Sequence, residues 1–246
     1  MKFDFEGQTA VITGGTRGIG RAVAEAFLAA GASVICLYGG DQAAAEAFKA
    51  ARPEEARLKV RRLDVADADA CLAFWRGLED EGVAAQILVN NAGIRRDAVL
   101  AMMPEADWRR VMEVNLGGVF NMAKPAVQGM SGRRYGRIIN MTSPSGRLGF
   151  EGQANYAASK AGMVALSQSL AKETARRGIT VNCVSPGFID TDFIRDLPAE
   201  RAERYKSLVP LRRFGKPDEV AAAVLFLADR GSAYITGAVL EVAGGL

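Results

Sequence analysis

Short runs of β-branched and apolar residues alternate with longer amphipathic runs along the whole chain. The strand-like runs are TAVIT (9–13), SVICLY (33–38), LKVRRL (58–63), QILVN (86–90), RIINMT (137–142), ITVNCV (179–184) and AVLEV (238–242). Helix-period patterns fill 18–30, 41–51, 67–81, 104–130, 154–177 and 217–229. This alternation predicts a parallel sheet covered by helices on both faces. Several strands are apolar at consecutive positions, as burial on both faces requires. The expected fold is α/β: one doubly wound domain over residues 1–246, with a seven-stranded, mainly parallel sheet. No Pro/Ser-rich linker divides it. One segment, from SPGFIDTDFIRDLPAE (185–200) to about Pro210, follows neither period and reads as a lid over an active site.

Composition narrows the function classes. Apolar residues make up 49% of the chain and charged residues 24%, enough for a sizeable core. A net charge of +3 is too small to argue for nucleic acid or a membrane surface. Cys36, Cys71 and Cys183 fit neither a disulfide framework nor a zinc site, and read as buried thiols of a reducing compartment. The chain has no histidine, which disfavours the usual transition-metal sites and Ser-His-Asp hydrolysis, so no metal site is expected. The opening MKFDFEGQTAVIT carries Asp4 and Glu6 where a signal peptide has an apolar run. No apolar stretch approaches the length of a membrane span, and a cytoplasmic protein is expected.

Candidate chemistry begins at the end of the first strand, in TGGTRGIGRAVAEAF. Gly14, Gly18 and Gly20 fall where that strand hands over to a helix. Glycine permits positive φ and close approach of a ligand to the backbone. The helix N-terminus then offers free N–H groups to a pyrophosphate. The spacing is T-G-x-x-x-G-x-G rather than G-x-G-x-x-G. Alone, it is also compatible with a tight βα turn that binds nothing.

Tyr156 and Lys160 lie one helical turn apart and share a face. A free phenol ionises near pH ~10. A neighbouring ammonium stabilises the phenolate and is expected to lower that value. Such a pair can supply the acid–base function usually given to histidine. From the spacing alone, a half-buried tyrosine and a surface lysine on an amphipathic helix is the favoured reading. Ser143 changes this, because it follows the strand RIINMT, and open α/β sheets bind ligands at the carboxyl ends of their strands.

TGGTRGIG, NNAG (90–93), Ser143 with Tyr156-x-x-x-Lys160, and PG (186–187) together resemble the short-chain dehydrogenase/reductase family, in order and over essentially the whole chain. GQANYAASKAG, RGITVNCVSPGFIDTD and AYITGAVLEVAGG look most like its β-ketoacyl-[acyl-carrier-protein] reductases. The resemblance implies a Rossmann domain that binds NADPH/NADP+ and a homotetramer. It implies that Ser143 orients a substrate carbonyl, Tyr156 donates a proton, and Lys160 tunes the tyrosine and holds the nicotinamide ribose. Asn115 would hold a relay water; its ordinary reading is a helix kink or a local hydrogen bond. In the glycine-rich turn, Gly14, Thr16, Arg17, Gly18, Ile19 and Gly20 match cofactor positions. Farther along, so do Gly39, Asp64, Val65, Asn91 and Ile189, together with Tyr156 and Lys160 themselves. Asp64 could equally just end the third strand.

The second strand ends CLYGGDQ, with Tyr38 and Gly39 where an NAD enzyme places a carboxylate, and Asp41 expected too far along. Neutrality there permits a 2′-phosphate, and Arg17 could pair with it. Pro144 departs from the family pattern by removing an N–H beside Ser143, which bears on the substrate loop more than on the chemistry. An acidic acyl carrier protein should meet arginines at the mouth of the site. Arg134 (with Arg133) and Arg177 (with Arg176) match carrier-binding positions, although each pair also reads as solvated surface, the second as dipole-complementing charge at a helix end. The expected reaction is NADPH-dependent reduction of a carrier-bound 3-oxoacyl thioester. Acetoacetyl-CoA reduction, another alcohol or sugar dehydrogenation, and a cofactor-binding scaffold are the alternatives.

Overall fold

The computed structural model describes residues 3–52, 55–192 and 198–246. Seven strands form one sheet in the order β3-β2-β1-β4-β5-β6-β7. They are β1 (Thr9–Thr13), β2 (Ser33–Tyr38), β3 (Leu58–Arg62), β4 (Ile87–Asn90), β5 (Gly136–Met141), β6 (Ile179–Pro186) and β7 (Val239–Val242). Every pairing is parallel. The order reverses between β1 and β4, which opens a crevice at the carboxyl ends of those strands.

Nine helices connect the strands among the described residues: α1 (Gly18–Ala29), α2 (Gln42–Ala50), α3 (Ala68–Asp80), α4 (Glu105–Met112), α5 (Gly118–Arg133), α6 (Ser145–Leu148), α7 (Ala154–Thr174), α8 (Ala199–Leu208) and α9 (Pro217–Ala228). Successive strand residues point to opposite faces, so Ala10 and Ile12 enter one apolar layer while Val11 enters the other. The first layer lies under α1 and α9 and contains Phe27, Val184 and Val224. The second lies under α3, α5 and α7 and contains Trp75, Met122, Met130 and Ile138. All residues of β4, β5 and β6 are buried. The edge strands β3 and β7 expose part of their residues.

Two expectations are corrected. The single helix expected over 104–130 is α4 and α5, joined by a π-turn at Glu113–Gly117. A wide turn of this kind often marks a functional site, and this one carries Asn115, which is fully buried. The segment after β6 is not irregular throughout, because α8 forms within it. Few apolar residues in AERAERYKSL made its helical period hard to read. Residues 193–197 of that segment lie outside the described residues.

Candidate active site

β1 ends at Thr13 and α1 begins at Gly18, so the glycine-rich turn sits at the switch point. Gly14 has φ +63° and Gly18 φ +52°, a region that side chains disfavour. A Cβ on Gly20 would collide with the Gly14 carbonyl oxygen. Thr16 is buried in the turn, while Arg17 and Ile19 line the cleft beside it. No side chain caps the N-terminus of α1. The Asn91 amide clamps the turn, donating to the carbonyls of Thr13 (3.1 Å) and Gly14 (3.0 Å). The Thr13 hydroxyl in turn accepts from the Asn91 and Ala92 N–H groups, each at 3.0 Å.

A cleft of about 1100 Å³ runs along the carboxyl ends of β1, β4, β5 and β6. Ser143, Tyr156 and Lys160 all line it, as the sequence predicts. Ser143 follows β5 and donates to the Ser145 hydroxyl (3.1 Å), which donates to Gln153 Oε1 (3.1 Å). Pro144 starts the short helix α6, and its carbonyl accepts from Arg147 and Leu148. A proline fits there because the missing N–H would have no helical partner.

Lys160 is buried, with Nζ donating to the Met141 carbonyl at 2.6 Å. Asn115 Oδ1 accepts from Ile94 N–H (2.8 Å), while Nδ2 donates to the Ile94 carbonyl (3.0 Å) and Ser159 Oγ (3.1 Å). The asparagine thus splices the loop after β4 onto α7. A Cβ on Gly93 would sit 3.3 Å from Asn115 Oδ1, a tight approach, and 3.6 Å from Lys160 Nζ, an ordinary contact, so the loop runs close against both groups.

The electrostatics differ from the sequence expectation. Burial raises the Tyr156 pKa; Arg95 and a Ser143 hydrogen bond pull it down, Asp97 adds to the rise, and the net direction is upward. The Lys160 ammonium points to the Met141 carbonyl, 5.5 Å from the centre of the tyrosine ring, and does not reverse that balance. Tyr156 is therefore held as a phenol at neutral pH, with its proton in place. Burial lowers Lys160 from 10.5 to about 8, within reach of proton exchange near neutrality.

The remaining expected positions divide. Gly39 stands in open space after β2. Asp41 is nearer than the sequence suggests: it caps α2 through Ala44 N–H (3.0 Å) and lies 3.8 Å from Arg17. Arg62, which sequence reasoning missed, donates to the Gly39 carbonyl at 3.2 Å. It pairs with Tyr38 in the β2–β3 register, and only that register brings it here. Asp64 accepts from Ala66 N–H (3.0 Å) and pairs with Arg110 (2.7 Å), which serves the turn after β3. The Val65 side chain is buried and its carbonyl accepts from Asn121 (2.9 Å). Ile189 is buried beneath the cleft, bridging to Gly215.

Arg134 and Arg177 do not border this cleft within the subunit. They precede the first residues of β5 and β6, at the opposite end of the sheet from Ser143. Arg134, with φ +52°, donates to the Arg176 carbonyl at 3.1 Å and ties the two turns together. Among the described residues, the arginines that line the cleft are Arg17, Arg95, Arg96, Arg201 and Arg204.

An uncapped helix N-terminus, a glycine turn closed to side chains and open space at Gly39 after β2 form a cradle that fits a dinucleotide, with the Asp41 carboxylate held beside Arg17. Residues 14–246 match the family model described as enoyl-(acyl carrier protein) reductase, which is of the short-chain type. The chain belongs to the short-chain dehydrogenase/reductase family. It is 44% identical to the Escherichia coli (strain K12) 3-oxoacyl-[acyl-carrier-protein] reductase FabG, over 99% of this chain and 98% of that protein. Acetoacetyl-CoA reductase from Shinella zoogloeoides is 41% identical, over 97% and 98%. A solved putative gluconate dehydrogenase from Agrobacterium tumefaciens superposes with a TM-score of 0.95 at 32% identity, covering 100% of this chain and 98% of that one. As a member of this family the protein is an oxidoreductase, and its sheet and flanking helices follow the family's Rossmann-like fold. Among the described residues no cluster could hold a metal ion, and no helix is long and apolar enough to cross a membrane.

Proposed function

We propose that the protein reduces a 3-oxoacyl thioester on an acyl carrier protein to the 3-hydroxyacyl thioester, with NADPH as reductant. The observation that carries this reading is the convergence of Ser143, Tyr156 and Lys160 in one cleft beside the glycine-rich turn. The turn and Lys160 would hold the dinucleotide, with Arg17 and Arg62 nearest the position of a 2′-phosphate. When bound, the cofactor supplies a hydride to the carbonyl carbon.

The chain's own residues handle the oxygen. Ser143 Oγ donates a hydrogen bond that fixes the carbonyl. Tyr156, kept protonated by burial, transfers its proton to that oxygen as negative charge develops there. Lys160, with its pKa near 8, exchanges protons on the tyrosine's side of the cleft. Asn115 positions the loop at Gly93 and Ile94 against that lysine.

Arg95, Arg96, Arg201 and Arg204 at the cleft support an anionic carrier. The 41% identity to acetoacetyl-CoA reductases favours CoA thioesters as a second reading. Exposed Phe120 on α5, and Tyr234 and Val239 near the β7 edge, support assembly into a homotetramer. We place the enzyme in the cytoplasm. The test is NADPH and NADH oxidation with acetoacetyl thioesters of carrier protein and CoA, alongside oxidation with a 2-enoyl thioester and, in the reverse direction, NADP+ and NAD+ reduction with gluconate. Turnover of the carrier-bound 3-oxoacyl substrate with NADPH is expected. Reduction of the enoyl thioester alone, or of no thioester, overturns the proposal.

A further inference from the structure

Three aromatic rings from separate parts of the chain meet along one wall of the cleft. Phe150 comes from the turn after α6, Phe188 from the loop after β6, and Tyr205 from α8. Phe188 and Tyr205 stack with centroids 4.6 Å apart and planes 10° from parallel. Phe150 meets Phe188 at 6.1 Å and 55°. All three are half-buried and line the cleft that holds Ser143 and Tyr156, and none belongs to either apolar layer of the core. Leu208 extends the wall along α8.

We infer that this wall is an acyl-chain subsite for a flat, conjugated 3-oxoacyl group, a polyenoyl or aryl-conjugated chain. The inference rests on the thioester reading above and names the chain that reading leaves open. With the carbonyl fixed at Ser143 and Tyr156, the far end of the acyl group has to run along a wall of the same cleft. A contiguous apolar patch inside a cleft marks a binding groove rather than ordinary surface. Aromatic rings carry a negative face and a positive edge, so paired π-systems prefer offset-stacked or edge-to-face arrangements and gain beyond the area they bury. A conjugated chain offers such faces along its length. Its torsions are already fixed, so it loses less rotational freedom on binding than a saturated chain of equal length. Phe188 and Tyr205 brace each other, so the wall is preorganised for a rigid guest. An acetoacetyl group carries no conjugated chain beyond its 3-oxo carbon and serves as the reference.

The experiment compares kcat/KM for two thioesters of equal carbon number, a saturated 3-oxoacyl chain and a 4,6-dienoyl 3-oxoacyl chain, with an acetoacetyl thioester beside them. A preference of about tenfold for the dienoyl chain is expected, from one or two ring contacts. In Phe150→Leu and Tyr205→Leu the dienoyl-to-saturated ratio should fall toward one. The ratio is read on whatever active protein each variant yields, so a loss of folded material does not imitate the result. Equal rates on the two long chains, with acetoacetyl reduced, overturn the subsite and leave the reductase reading intact. No turnover of any 3-oxoacyl thioester removes both.

Discussion

The Arg95 guanidinium lies 5.7 Å from the centre of the Tyr156 ring, making it a cation over the proposed proton donor that comes from a different element. Arg95 is ion-paired with Asp97, and the tyrosine is also faced by Lys160 from its own helix and Ser143 from the loop after β5. Burial pushes the phenol up and Arg95 opposes it. In Arg95→Met the phenol should ionise at still higher pH. The rising limb of the pH profile for oxidising a 3-hydroxyacyl thioester, which needs the phenolate, should move upward. A limb that stays in place would show that Arg95 only packs beside the ring.

Tyr156→Phe removes the proposed proton donor and keeps the ring. Reduction should fall by roughly 10²–10⁴-fold in kcat, while NADPH binding, followed by fluorescence, stays close to wild type. A fall of less than threefold would take Tyr156 out of the chemistry.

Lys160 makes the cofactor-free protein less stable than it need be. Its folded pKa is about 8, and that of an unfolded lysine about 10.4. Between those values the unfolded chain binds a proton that the folded chain lacks, so this group's contribution to stability rises with pH across that window. The penalty of burying the ammonium is full below about pH 8 and gone by about pH 10.5. Lys160→Met should remove about 3 kcal/mol of penalty at pH 7, less about 1 kcal/mol for the lost bond to Met141. Its melting temperature should exceed wild type by about 5 °C at pH 7, and the advantage should shrink as pH rises and be reversed by about pH 10.5, where only the lost bond remains. An equal difference at both pH values would contradict the linkage.

The 2′-phosphate of the proposed NADPH is tested by a paired substitution. Arg17→Ala should raise KM for NADPH and leave KM for NADH nearly unchanged. Gly39→Asp places a carboxylate in open space, so little strain accompanies the change. It should lower the NADPH-to-NADH preference by tenfold or more, about the effect of one charge-assisted pair. Wild-type enzyme that used both cofactors equally would refute the NADPH assignment.

Carrier docking separates two sets of arginines. Arg201→Glu with Arg204→Glu, at the cleft, should raise KM for a carrier-bound substrate several-fold at low salt, with less effect at high salt. Arg134→Glu with Arg177→Glu lies at the far end of the sheet and should do so only if a neighbouring subunit brings those residues to its own cleft. A larger effect from that second pair would favour docking across the assembly.

The strands were legible because their β-branched runs report burial directly, and the Tyr156–Lys160 register because a helix fixes it. What the sequence did not show depends on distant partners. Arg95 and Tyr156 are far apart in the chain, as are Arg62 and Gly39, and only the fold brings them together. The tyrosine's pKa was expected to fall because a lysine stands nearby in sequence. In the structure burial outweighs the charges, and the lysine turns toward a carbonyl. The sequence offered a kink at Asn115 as one reading, but not the π-turn or the bonds to distant Ile94 that accompany it. The aromatic wall is spread over 150–205 and has no local signature at all.

The turn at Glu113–Gly117 closes one residue wider than its neighbours, so it works as a phase shifter between two helices. α4 leans on α7, while α5 beyond it packs on β4 and β5. Wound as one regular rod, the same residues would turn everything after this point by about 100°. Met122 and Met130 would then swing out of the buried layer, and the Asn115 amide would leave Ile94. The winding between motifs is therefore as much a part of the site as the motifs are: a regular turn here would leave each of them intact and still dismantle it.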